Sequence, residues 1–152
     1  MALNRKYSYI AFYDLDHTIL KVNSANALVR TARRKDLING RHFRQAVWLS
    51  LQSKYFKGHS SDTIYRMLSW LEGIEEKMIL ELCEKVFHLK QVSEIRKEII
   101  ETMEMHRAKD AALVMLSSAT DPICNVVARY LALEDVICSK LEIINGCFTG
   151  IN

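Results

Sequence analysis

The chain has 152 residues, 49% of them apolar, with one proline and five glycines; this excludes a disordered or low-complexity polymer and suits one globular core carrying at most a modest insertion. The net charge of +3 is mild, and four widely spaced cysteines without a Cys-x-x-Cys pair exclude a zinc finger and a disulfide framework, so reduced, buried thiols are expected. The polar start Asn4-Arg5-Lys6 and the run from Tyr7 to Tyr13 are too brief for a signal peptide or a membrane span, and a cytoplasmic protein is expected.

Tyr7 to Tyr13 is a β-branched and aromatic run broken by Asp14, which predicts a buried strand entering a polar loop. From Ser24 to about Met105 helical spacing prevails: Leu28, Val29 and Ala32; Phe43, Val47 and Leu51; Ile64, Met67, Leu68 and Leu71; Ile79, Leu82 and Val86. Ser61 and Asp62 signal a helix start before Ile64, and Ser93 signals another before Ile95, Ile99 and Ile100. Ordinary helix lengths give roughly three to five helices here. Trp48, Tyr55, Phe56, Tyr65 and Trp70 read as the core of this region.

The pattern then changes. Ala111 to Leu116 predicts a second short strand, ending in Ser117, Ser118, Ala119 and Thr120. Asp121-Pro122 opens a helix with Ile123, Val126, Val127 and Leu131 on one face. Val136 to Cys138 predicts a third strand, and Leu141 to Phe148, centred on Asn145-Gly146, predicts a hairpin. The order gives an α/β fold: a Rossmann-like parallel-sheet core from residues 1–22 and 106–152, with a helical domain, residues 23–105, inserted after strand one.

The chemistry concentrates in Asp14-Leu15-Asp16-His17-Thr18, where the first strand ends. Carboxylates two residues apart in extended backbone point to one side, and their repulsion is offset by a divalent cation, for which oxygen donors select Mg²⁺. One carboxylate can attack phosphorus while the other hands a proton to the leaving oxygen. The end of the second strand offers hydroxyls and a helix N-terminus suited to a phosphate oxygen, although Thr120 or Asp121 capping the helix explains the same residues. No glycine-rich nucleotide loop follows strand one, Lys57-Gly58 is not a Walker loop, and the five histidines lack ligand spacing.

These two elements carry a resemblance. Phe12 to Ile19 and Val114 to Thr120 resemble the first two signature motifs of the haloacid dehalogenase (HAD) phosphatases, and Cys138 to Gly150 resembles the strand and hairpin of their phosphoserine-phosphatase-like branch, subfamily IB. The resemblance implies a HAD-like core with a helical cap domain and a Mg²⁺-dependent phosphomonoester hydrolase working through an aspartyl phosphate. It implies Asp14 as nucleophile and metal ligand, and Asp16 as general acid and base with its main-chain carbonyl on the metal. Thr18 would steady the loop, while Ser118 and the Ala119 backbone would hold the phosphoryl group, with Ser117 the choice if the register slips by one.

Departures follow from the same resemblance. Asn23 stands where phosphoserine-specific members carry glutamate, so phosphoserine is not the expected substrate, and Arg66 is only near the place of a substrate-carboxylate arginine. A third-motif lysine and a fourth, acidic motif are expected beyond Asn152, with Lys140 too early for the lysine. The alternative is a catalytically incomplete module of this fold that binds phosphate or a partner. Expected partners are a small phosphorylated metabolite and, through an exposed sheet edge, a second copy in a homodimer. No nucleic acid or membrane is expected: Arg30, Arg33, Arg34, Lys35, Arg41 and Arg44 read as a solvated helix face, with attraction of a phosphorylated substrate as an alternative role.

Overall fold

Three parallel strands, β1 (Tyr9–Tyr13), β2 (Ala111–Thr120) and β3 (Asp135–Ser139), form a sheet in the order β1-β2-β3. The computed structural model describes residues 6–38 and 68–151. The sequence expectations at Arg41 to Met67, including Arg44, Trp48, Tyr55, Phe56, Tyr65, Arg66 and the helix start at Ser61, lie outside those residues.

Between β1 and β2 run α1 (Ser24–Arg34), α2 (Glu76–Val86) and α3 (Lys97–Ala108). After β2 come α4 (Asp121–Tyr130) and, beyond β3, the hairpin of β4 (Ile143–Ile144) and β5 (Cys147–Phe148). Asn145 and Gly146, both at positive φ, make the hairpin turn, the backbone that Asn-Gly favours. The hairpin is stitched to the residues before α2 by the Gly73 N–H on the Phe148 carbonyl and the Phe148 N–H on the Ile74 carbonyl, each 2.9 Å.

One sheet face is covered by α3 and α4, with α2 on α4 and α1 on α2. Tyr13, Leu113 and Met115 bury there among Met103, Ile123 and Val127. Side chains alternate between faces along a strand, and the opposite face leaves Ile10, Phe12, Leu116 and Ile137 exposed.

Two expectations need correction. Strand two does not stop at Leu116 but continues to Thr120, where it pairs with Ser139 after a register shift. Ser93 does not begin a helix: it lies in a 3₁₀ turn, Val92–Glu94, and α3 starts at Lys97. The intervening residues pair with the loop after β1 instead. Leu20 bridges Ile95, the Lys21 N–H donates to the Glu94 carbonyl at 2.9 Å, and the Arg96 N–H donates to the Ile19 carbonyl at 3.0 Å.

Candidate active site

At the carboxyl ends of β1 and β2, where open α/β sheets bind ligands, register sets Tyr13 beside Met115. Asp14 follows β1 directly, and β2 carries Ser117, Ser118 and Ala119 beyond that level. The two elements singled out in the sequence therefore leave neighbouring strands at one end of the sheet.

The loop after β1 is wound rather than extended, so the extended-backbone argument does not describe Asp14 and Asp16. His17 takes left-handed backbone (φ 60°), a conformation uncommon outside glycine but one that histidine, like asparagine and aspartate, adopts more readily than most. That turn brings the Ile19 N–H to the Asp14 carbonyl at 3.2 Å and the Leu20 N–H to the Leu15 carbonyl at 2.9 Å. Leu15, Ile19 and Leu20 are fully buried, pinning the loop from beneath while Asp14 stays exposed and Asp16 and Thr18 half-buried.

The carboxylates have different partners. Asp14 Oδ1 accepts the Leu15 N–H at 2.8 Å. Both Asp16 oxygens are taken: Oδ1 by the Ser24 backbone N–H at 2.8 Å and Oδ2 by Asn23 Nδ2 at 2.7 Å. Asn23 is also the N-cap of α1, its side chain accepting the Asn26 N–H at 3.2 Å. Asp16 thus sits on the start of α1, where an anion is favoured by the helix dipole. Asn23, placed by sequence only as a departure in the substrate region, is a partner of Asp16.

At the end of β2 the side chains divide. Ser117 Oγ accepts the Ala119 N–H at 3.3 Å, so that N–H already has a weak internal partner. Ser118 is exposed, and its carbonyl accepts from Ser139 Oγ at 3.0 Å. Neither proposed cap closes the next helix. Thr120 makes no side-chain capping bond, and Asp121 Oδ1 accepts the Leu141 N–H at 3.1 Å instead. The first N–H groups of α4 therefore face the end of β2 without a side-chain cap, an arrangement suited to an anion.

Of the remaining candidates, Lys140 is exposed just after β3. Cys83 and Cys124 are buried and Cys138 and Cys147 half-buried, all with free thiols. Among the described residues no group of three or more His, Cys, Asp or Glu side chains could hold a metal ion, and no helix is long and apolar enough to cross a membrane.

Comparison with known proteins agrees with this architecture. A protein of unknown function from Bordetella pertussis Tohama I superposes with a TM-score of 0.79 at 19% identity, covering 96% of this chain and 66% of that one. A HAD family hydrolase from Salmonella enterica serovar Typhi superposes at 0.67 with 16% identity over 93% of this chain and 43% of its own. A phosphoserine phosphatase, solved as an analogue of its phospho-aspartyl intermediate, superposes at 0.66 with 14% identity over 96% and 62%. The chain thus spans less than two thirds of these proteins, and at such identities they show the fold alone. No curated protein matches the sequence. The family model of haloacid dehalogenase-like hydrolases, however, matches residues 11–151, which takes in the Asp14 loop, β2 and the terminal hairpin, and the chain belongs to that family.

Proposed function

We propose that this chain carries the nucleophile and acid–base part of a phosphomonoester hydrolase of the phosphoserine-phosphatase-like branch, subfamily IB. The observation that supports it most is the register of Tyr13 beside Met115, which sets Asp14 next to the strand end that leads through Ser118 into the uncapped start of α4. In this reading residues 1–22 and 106–152 are the core and 23–105 the inserted cap that admits a small phosphorylated metabolite.

Asp14 attacks phosphorus, the P–O bond to the leaving alcohol breaks, and Asp16 gives that oxygen its proton. Asp16 then takes a proton from water, which attacks the aspartyl phosphate, releases inorganic phosphate and restores Asp14. Ser118, with the backbone N–H groups around Ala119 and the head of α4, would hold the phosphoryl oxygens as charge redistributes. Asp14 Oδ2 makes no hydrogen bond among the described residues, and with the Asp16 carbonyl it offers oxygen donors that fit Mg²⁺ in kind. When bound, Mg²⁺ supplies positive charge against the phosphoryl oxygens. A location in the cytoplasm, and self-association through the sheet, belong to the same proposal.

That no group of three or more His, Cys, Asp or Glu side chains among the described residues could hold a metal ion favours a second reading, a module that binds phosphate or a partner without turning it over. p-Nitrophenyl phosphate turnover with Mg²⁺ separates the two. The hydrolase reading expects Asp14→Asn to lower turnover by the full-length protein about 10⁴-fold or more with unchanged thermal unfolding. Equal rates in the two proteins would remove Asp14 from the nucleophile's role, and phosphate binding without turnover would favour the module.

A further inference from the structure

Gln91 is the one polar side chain of its size that the described structure buries completely, at 0% exposure. It lies in a π-helical turn, Phe87–Gln91, that continues α2, and single π turns often sit at functional sites. Its Nε2 donates to the Ser24 carbonyl at 2.9 Å, across 67 residues of sequence. Among the described residues its Oε1 has no hydrogen-bond partner, and neither has Ser24 Oγ, both being buried. An amide half-satisfied in the interior is costly, and a methionine would fill the space without that cost.

What the bond reaches gives it a purpose. Ser24 is 1% exposed, and its N–H is the donor on Asp16 Oδ1. Gln91 therefore holds the carbonyl of the residue whose N–H holds Asp16, so that the two successive peptide groups flanking Ser24 are each tied. The neighbouring residues 94–96 grip the same loop through Lys21, Leu20 and Ile19, so the chain returning to the core braces the chain leaving it at four successive places. We infer that Gln91 is a positioning residue for Asp16: through Ser24 it fixes the direction of the carboxylate that exchanges protons with the leaving group and water. This rests on the hydrolase reading for the role of Asp16, while the bracing itself does not.

Gln91→Met keeps the length and removes the donor, with Gln91→Leu as a second variant should the first not fold. Hydrogen exchange at the Ser24 amide, measured without substrate, should quicken roughly tenfold, the worth of one hydrogen bond, while Leu113 in β2 is unchanged. Turnover with Mg²⁺ should show a split by leaving group. A simple alkyl phosphate, which needs its alcohol protonated, should lose roughly tenfold in kcat/KM, which reports the steps up to departure of the alcohol, and p-nitrophenyl phosphate, whose phenolate leaves unaided, should lose much less. Unchanged Ser24 exchange overturns the bracing. Faster exchange with equal losses of kcat/KM on both substrates overturns the positioning role and leaves Gln91 a packing residue. A full-length wild-type protein that turns over neither substrate defeats the hydrolase reading instead, and Ser24 exchange alone then decides whether Gln91 braces the loop.

Discussion

Around Asp14 the backbone is tied down, whereas around Ser118 it is open. The first region has left-handed His17, two backbone bonds closing the turn, three fully buried aliphatic side chains underneath, and Asp16 held by two donors. The second has a register shift against β3, an exposed serine and an uncapped helix. A group that must attack in line gains from being fixed in advance, since a misplacement of about 1 Å can cost on the order of a hundredfold in rate. A group that receives phosphate oxygens gains from unclaimed donors. The contrast separates residues whose loss should disturb the fold from those whose loss should disturb only binding and turnover.

Leu20 tests the tied side, because it is fully buried and bridges both Ile95 and Asp16. Leu20→Ala should lower stability by about 2–5 kcal/mol in urea unfolding. A loss under about 1 kcal/mol would show that the loop does not depend on this packing.

Ser118 tests the open side. Ser118→Ala should leave stability within about 0.5 kcal/mol and reduce phosphatase turnover by about a hundredfold, as for a lost donor to a transition-state oxygen. Ser117→Ala, which removes the acceptor of the Ala119 N–H, should cost less turnover. The reverse order would move the phosphate contact to Ser117.

The smallest effect concerns the thiols. Burial, then the charges of Glu84 and Asp121, pushes Cys83 from 9.0 up to about 12, and burial also raises Cys124 and Cys138, which flank the open side on α4 and β3. Each thiol keeps its proton in the fold after the unfolded chain has lost it. For Cys83, stability complete below about pH 9 should therefore decline as pH rises toward 12, by at most about 1.4 kcal/mol per pH unit. Cys83→Ala should show a shallower decline from pH 8 to 10 by circular dichroism, and an identical slope would remove that thiol from the account.

The three strands, α4 and the hairpin were legible because each is marked locally: apolar runs for β1 and β2, Asp-Pro for α4, Asn-Gly for the β4–β5 turn. Ser117 to Thr120 were read only as the ending of a short strand because hydroxyl residues carry little preference, and pairing with Ser139 shows the strand running on through them. The start of α3 was misplaced for the same kind of reason, since residues 94–96 are claimed by a loop some 75 residues earlier in the chain, beyond any local pattern. Asp14 and Asp16 stood out by spacing. Their supports divide: Asn23-Ser24 before an apolar periodicity is a helix-start signal that could have been read, while Gln91 is a polar residue in a helical stretch with nothing in the sequence to distinguish it.

The pairing of Tyr9 with Ala111 also imposes an order in time. At about 5–20 residues per second of synthesis, on the order of 5–20 s pass between the emergence of the two. Throughout that interval Ile10 and Phe12 belong to a β-prone stretch without a ladder, while α1, α2 and α3, whose backbone bonds are local, can form as they appear. The segment that carries the candidate nucleophile is therefore made first and locked only once β2 has emerged, so a pause in translation before residue 111 would lengthen the exposure of the very strand on which the site is built.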